Sequence, residues 1–432
     1  MSLPNIIYIH SHDTGRYLQP YGYAIPTPNI QRLAEEGILF RQAFCAAPTC
    51  SPSRAALLTG QSPHSAGMTG LVNRGWGLND NNQHIVNTLR QAGYTSALAG
   101  VQHLAKFPES IGYDQVLKTA SRRVADVVPV AKAYLENAPA TPFFLTIGFS
   151  EVHREFPEAG PSEDARYVRP PAPLPDTPET RADMATYLAG ARVLDDGVGT
   201  ILQTLDNSGL AENTLVISTT DHGVAFPGLK CNLTDHGIGV SLIMRGPHGF
   251  SGGKVVDALV SQIDIFPTLC ELAGLESPSW LQGKSIMPLI RESVSDTNDA
   301  IFAEVSYHAA YEPKRAIRTK RYKYIRHYGD HHTSVLPNCD DSLSKDVWKA
   351  HGWHGKPVDR ERLYDLIFDP NETQNLIDDP TVADVAADLR QRLDIWMTET
   401  NDPLFQGGFV PPTEGGQVND SAGISPKEAL PS

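Results

Sequence analysis

Three groups of residues in this 432-residue chain have types and spacings that could do chemistry. The first is Cys50-Ser51-Pro52-Ser53-Arg54, followed by Ala-Ala-Leu-Leu-Thr and Gly60. Proline suits a first helical turn, the Ala-Leu run continues it, and Gly60 can end it. Cys50 is thereby predicted at a helix N-terminus, where free N–H groups and the helix dipole favour an anion. Arg54 lies one turn further on and can reach back to the same point. These residues alone allow a cysteine of lowered pKa or an anion pocket. The plainer reading is a buried structural cysteine before an ordinary helix.

The second group is a pair of strand ends. Ile6–Ile9 runs into His10-Ser11-His12-Asp13, and Thr214–Ser218 runs into Thr219-Thr220-Asp221-His222-Gly223. In a parallel α/β sheet, ligands sit beyond the carboxyl ends of strands. His12, Asp13, Asp221 and His222 could therefore converge on one metal ion, although an Asp at a strand end more often caps the next helix. The third group is polar residues after other strands: His103 after Thr95–Ala99, His153 after Phe143–Ile147, and Lys230 after the Asp221-His222 turn.

The elements that must position these groups follow from the pattern. Helices are expected over Asn29–Glu36, Asn87–Ala92, Val124–Glu136 and Met184–Asn207, alternating with the strands above. That alternation predicts an α/β fold with a parallel sheet and crossovers on both faces. Beyond about residue 300 the texture changes. Arg315–His327 alternates like one antiparallel strand whose basic residues form a solvated face. Asp330–Val358 reads as polar, His-rich and irregular, and Val382–Glu399 as a helix. The expected division is 1–300 for the catalytic α/β part, 301–403 for a smaller α+β part, and 404–432 for a tail, either a disordered end or an oligomerisation arm.

Composition sets outer bounds. Thirty-six Lys and Arg against 50 Asp and Glu give a formal charge of −14. That balance argues against a nucleic-acid partner. Apolar runs are strand-sized, so no membrane span is expected, and no signal peptide is visible. Five cysteines without a CxxC pair predict free thiols and a cytoplasmic, reducing compartment.

Taken together, these residues resemble the sulfatase family of the alkaline-phosphatase superfamily, over roughly residues 4–403. The signature Cys50-x-Pro52-Ser53-Arg54 is the most specific element. Pro4-Asn5-Ile6-Ile7, Thr27-Pro28-Asn29-Ile30, Ile263-Asp264-Ile265-Phe266-Pro267-Thr268, Arg318–Tyr324 and Leu363-Tyr364-Asp365-Leu366 also match. Within the family the look is nearest to the heparan N-sulfatase group, through Trp396–Pro403 and Phe226-Pro227-Gly228. The resemblance implies an alkaline-phosphatase-like sandwich around a mixed, mainly parallel sheet, followed by a smaller domain with an antiparallel sheet. It also implies a hydrolase of sulfate esters or sulfamates, with a sulfated sugar as substrate. Its nucleophile would be formylglycine, made from Cys50 by a formylglycine-generating enzyme. His12, Asp13, Asp221 and His222 would bind one divalent metal ion. Arg54 and Lys230 would offset charge, His153 would be the general acid and His103 the base.

Three departures shape the expectation. His12 and His222 stand where the family usually has Asp and Asn. All-oxygen sites suit calcium, whereas His ligands move the preference toward manganese, zinc or iron, so calcium or manganese is expected first, with zinc, magnesium or iron next. Val101 stands where the family usually has a Lys, and Lys106 is the nearest replacement to bind substrate. His236 is a further substrate-binding candidate. A phosphonate monoester or phosphodiester hydrolase, and a non-catalytic sugar- or metal-binding relative, are the alternatives. His64 reads either as packing behind the signature helix or as a residue near the site. His331, His332, His351 and His354 lie in a segment expected to reach over the pocket.

Overall fold

The structure, a computed structural model, describes residues 3–430. Eight strands make one sheet: β1 Asn5–Ser11, β2 Ile38–Phe44, β3 Thr95–Gly100, β4 Gln115–Leu117, β5 Phe143–Gly148, β6 Thr214–Thr220, β7 Leu242–Arg245 and β8 Lys254–Ser261. Their order is β4-β3-β5-β1-β6-β7-β2-β8. All neighbours are parallel except β7, which runs against β6 and β2. Side chains along β1 alternate between two cores, as strand geometry requires. Ile7 and Ile9 pack with α1 (Pro28–Glu36) and with the helices Val124–Glu136 and Pro178–Asn207. Ile6 and Tyr8 face the other core, shared with α2 (Cys50–Thr59) and the helix Ile265–Ala273. Each fully buried Leu or Ile contributes about 1.5–3 kcal/mol.

The second core continues into a four-stranded antiparallel sheet, β9 Ala300–Tyr307, β10 Tyr311–Thr319, β11 Tyr322–His327 and β12 Glu361–Asp365, ordered β12-β11-β10-β9. The helix Ala383–Glu399 packs on it through Leu389, Leu393 and Met397. The α/β sandwich with a mixed, mainly parallel sheet and a smaller antiparallel α+β layer is thus the architecture the sequence implied.

Three expectations differ. Arg315–His327 is not one strand but a β10–β11 hairpin; Lys320 and Arg321 at its turn are exposed as expected, but the basic residues within the strands are not a solvated face. Lys314, Arg315, Arg318 and Lys323 are buried. Arg315 grips Asp402, while Arg318 and Lys323 pair with Asp235 at 3.0 and 2.6 Å. Alternation shows which residues share a face, but not that this face meets acidic residues of another layer. The segment 330–358 holds a helix, Leu343–Ala350, whose Lys345 N–H donates to the capping Ser342 Oγ at 3.1 Å. The tail, expected as a disordered end or an oligomerisation arm, is not a disordered end: it lies along its own chain. Gln417 N donates to the Arg74 carbonyl at 2.8 Å, Arg74 Nη1 to Asn419 Oδ1 at 2.8 Å, and Tyr307 Oη to the Val410 carbonyl at 2.6 Å. Among the described residues, no helix is long and apolar enough to cross a membrane.

Candidate active site

The pairing of β1 with β6 builds the site. Ser11 lies opposite Thr220, so His12-Asp13 and Asp221-His222 leave the sheet side by side at its carboxyl edge. Asp13 turns with φ 51°, and its N–H donates to Asp221 Oδ1 at 2.8 Å. The N-terminus of α2 meets the same edge, and Gly60 ends that helix at φ 68° as expected. A Cβ at Gly60 would lie 2.5 Å from Leu281.

His12, Asp13, Cys50 and Asp221 each offer an atom within 4.8 Å of the others, and all four are buried. His12 Nδ1 lies 2.8 Å from Asp13 Oδ1 and 3.1 Å from Asp221 Oδ2. Burial lowers the His12 pKa to about 4, against the opposing pull of Asp221 and Asp13, so the ring is neutral. His222 Nδ1 faces the Gly223 carbonyl at 2.9 Å and must donate there, so in a neutral imidazole the lone pair is on Nε2. That Nε2 points at Cys50 Sγ, 3.5 Å away, and at Asp13 Oδ1, 3.3 Å away. Two acceptors facing each other at this distance fit a cation held between them.

Charge supports the same conclusion. Arg54 Nε and Nη2 donate to Asp221 Oδ2 at 3.3 and 3.1 Å. Lys230 Nζ donates to Asp13 Oδ2 at 2.9 Å and to Asp340 Oδ2 at 3.1 Å. Three carboxylates against two cations leave one negative charge uncompensated in a buried place. Burial would raise the Asp13 carboxyl, but Lys230 and His12 outweigh it and hold it well below the usual range. Burial would lower Lys230, yet Asp13 and Asp340 prevail and raise it. For Cys50, burial comes first, joined by Asp13 and Asp221, and pushes the thiol well above its ordinary pKa despite Lys230 and Arg54. The lowered-pKa cysteine is therefore not what the helix N-terminus produces.

His103 and His153 also reach the cluster. Their rings lie 5.9 and 4.7 Å, centroid to centroid, from that of His12. His103 turns with φ 57°, and burial, then His12 and Arg54, depress its pKa strongly. His153 is the open member, with 38% of its side chain exposed and Nε2 4.0 Å from Asp13 Oδ2. Lys106 is not brought in. It is exposed, with its ammonium 5.6 Å from the Phe107 ring centre, and Val101 is buried and apolar. His236 stands behind the cluster, its Nδ1 2.9 Å from Tyr17 Oη. His64 packs behind α2 with Glu304 and Asp402. His331 and His351 bond to Thr333 and the Val347 carbonyl.

Two residues escaped the sequence reading. Asp340 carries no local signal, because a loop 110 positions beyond Lys230 delivers it. His308 follows β9, is 7% exposed, and its Nδ1 has no hydrogen-bond partner among the described residues; burial, then Lys230, lower it to about 3. Its only sequence cue is its place just after a strand.

A family model described as Sulfatase matches residues 4–275, and the chain belongs to the sulfatase family of sulfuric ester hydrolases. A second model, N-sulphoglucosamine sulphohydrolase, C-terminal, matches residues 230–342. Human N-sulphoglucosamine sulphohydrolase is 30% identical, over 88% of this chain and 87% of that protein. An ulvan-active sulfatase of Formosa agariphila is 26% identical, over 92% of this chain and 75% of that protein. Among solved structures, BT4656 in complex with its substrate D-glucosamine-2-N,6-O-disulfate superposes with a TM-score of 0.73 at 21% identity, covering 94% of this chain and 99% of that one. Ps i-CgsB with a neocarrahexaose gives 0.72 at 21% identity, with 96% of each chain covered. At that identity the two structures establish the shared fold.

Proposed function

We propose that this sulfatase is formylglycine- and metal-dependent and cleaves a sulfate ester or sulfamate from a saccharide. The observation that carries the reading is the place of Cys50. It begins α2, is 2% exposed, and lies among His12, Asp13 and Asp221 rather than among apolar side chains alone. Conversion of Cys50 to formylglycine supplies a hydrated aldehyde, with one hydroxyl to attack sulfur and a second to release it. His12, Asp13, Asp221 and His222 would hold a divalent ion, which supplies Lewis acidity at the S–O bond and lowers the pKa of the attacking hydroxyl. The mixed imidazole and carboxylate set suits manganese, zinc or iron better than calcium or magnesium.

The chain's own residues do the rest. Lys230, freed from part of its pairing, donates to a sulfate oxygen where negative charge grows. Arg54 keeps Asp221 in place. His153, at the open side, gives a proton to the leaving oxygen or nitrogen. Neutral His103 accepts the proton that allows sulfate to leave. With Val101 apolar and Lys106 outside, the anion would draw chiefly on Lys230, which is already shared with Asp13 and Asp340, and this favours a singly charged ester over a dianionic phosphate monoester. A phosphonate monoester or phosphodiester is also singly charged, so the rate ratio of aryl sulfate to aryl phosphonate separates that second reading. The five free thiols support a reducing, cytoplasmic setting. The test is the mass of tryptic peptide Gln42–Arg54 from protein made with a maturation enzyme. A loss of about 18 Da at Cys50 supports the reading; a retained thiol under those conditions sinks it.

A further inference from the structure

His153 stands half-exposed at the mouth of the cluster, so its loop has to aim it. An imidazole delivers a proton to a fixed point only when one ring nitrogen is tied and the other is free. His153 Nδ1 faces the carbonyl of Arg154, and a carbonyl only accepts, so Nδ1 carries the hydrogen of that contact. Protons therefore enter and leave the ring at Nε2, the nitrogen 4.0 Å from Asp13 Oδ2. The aim of the ring depends on one carbonyl, and that carbonyl belongs to a residue whose side chain is gripped on several sides.

Arg154 Nη1 and Nη2 fork onto Asp183 Oδ1 and Oδ2 at 2.6 and 2.8 Å, and Nε donates to the Ala225 carbonyl at 2.9 Å. The guanidinium carbon lies 4.4 Å from the ring centre of Phe156 and 4.8 Å from that of Phe226. The side chains of Arg154 and Asp183 are 12% and 5% exposed, so the pair is largely shielded from water. Asp183 also accepts the Ser344 hydroxyl at 2.5 Å. One arginine thereby joins the loop of His153 to the helix Pro178–Asn207, to the start of the helix Leu343–Ala350 and to the turn that precedes Lys230. Lys230 N–H donates to the Val224 carbonyl at 3.2 Å, so the turn held through Ala225 also delivers Lys230. A buried ion pair adds little net stability, because desolvation offsets its attraction, whereas a forked one fixes direction.

We propose that Arg154 and Asp183 are positioning residues for proton transfer: the pair holds the Arg154 carbonyl on His153 Nδ1 and so keeps Nε2 turned to the leaving group. The link to proton transfer rests on the reading of His153 as proton donor given above; the hold on the ring rests on its own geometry. Two measurements test it, and they fail separately. The first is the nitrogen NMR spectrum of the histidine rings in the full chain with unconverted Cys50, at about pH 8.5, where an ordinary imidazole is neutral. The His153 signals are identified by their loss in His153→Ala. The unaltered chain should show one tautomer, with hydrogen on Nδ1, and Asp183→Asn a mixture of the two. A mixture already present in the unaltered chain, or one unchanged tautomer in Asp183→Asn, overturns the proposal.

The second is sulfate release by the converted chain. Asp183→Asn should slow release from an alkyl or sugar sulfate by about tenfold and from nitrophenyl sulfate by less than about twofold. On top of His153→Ala it should cost the alkyl ester less than about twofold more, since the group it positions is gone. Equal losses with both esters, or a full further loss on top of His153→Ala, overturns the positioning role. Arg154→Lys, which keeps the charge and loses the fork, should behave as Asp183→Asn does and decides the matter if that variant does not fold. If His153→Ala itself slows both esters equally, the proton-donor reading fails, and the nitrogen spectrum alone decides whether the pair sets the ring.

Discussion

Two separate regions among the described residues have buried clusters with the residue types and spacing of a metal site, and they are built to opposite ends. One is His12, Asp13, Cys50 and Asp221 at the sheet edge; the other is His64, Glu304 and Asp402 behind α2. The second is closed by its own chain. His64 Nδ1 sits against Glu304, the His64 N–H donates to Glu304 Oε1 at 2.8 Å, and Arg315 forks onto Asp402 with Glu304 Oε2 3.8 Å away. Its side chains come from the short helix Pro63–Ala66, from strands β9 and β10, and from the loop after the helix Ala383–Glu399. The first cluster is left open: it has a surplus negative charge, two acceptors facing each other, and a half-exposed imidazole at its mouth. Ligand-type residues within reach of one another do not define a site; an unbalanced set of charges and lone pairs does.

That contrast can be broken in four ways. Cys50→Ala should cost at least about 10⁴-fold in turnover and leave thermal stability nearly unchanged; retained sulfate release would remove Cys50 from the chemistry. His153→Ala should slow sulfate release by about 10²-fold for alkyl or sugar esters, which need a proton, and by only a few-fold for nitrophenyl sulfate. Equal losses with both leaving groups would reject the acid role. Glu304→Gln should destabilise by about 3–5 kcal/mol, because it uncovers the buried Arg315 and His64; the folded fraction should keep its KM, and a changed KM would place the closed cluster in the site. Removing divalent ions with a chelator should lower stability by about 2–4 kcal/mol at saturating metal, and by the same increment in Glu304→Gln. A smaller increment in that variant would mean that the closed cluster also holds an ion.

Much of the open cluster was legible because each half is local. His12-Asp13 and Asp221-His222 end apolar strand runs, and parallel pairing of β1 with β6 makes them neighbours at no further cost in information. Cys50 and Arg54 share one helical turn. Asp340 and His308 were not legible, since the antiparallel layer and the loop after it deliver them, and neither has a periodicity to read. The buried basic residues of β10 and β11 were misread for the same reason: their acidic partners Asp235, Glu372 and Asp402 lie far away in sequence. Lys106 shows the converse. Three positions of sequence proximity to His103 do not bring a flexible side chain to the same point.

All ten residues of α2, from Cys50 to Thr59, are buried in the finished fold. An enzyme that must read Cys50 through Arg54 as an extended stretch has no access to them once the helix has docked. On the proposed formylglycine reading, modification is therefore a race against collapse of the chain. The fraction of active molecules should be fixed during synthesis, rising when translation is slowed and staying constant however long the folded protein is later incubated with the maturation enzyme.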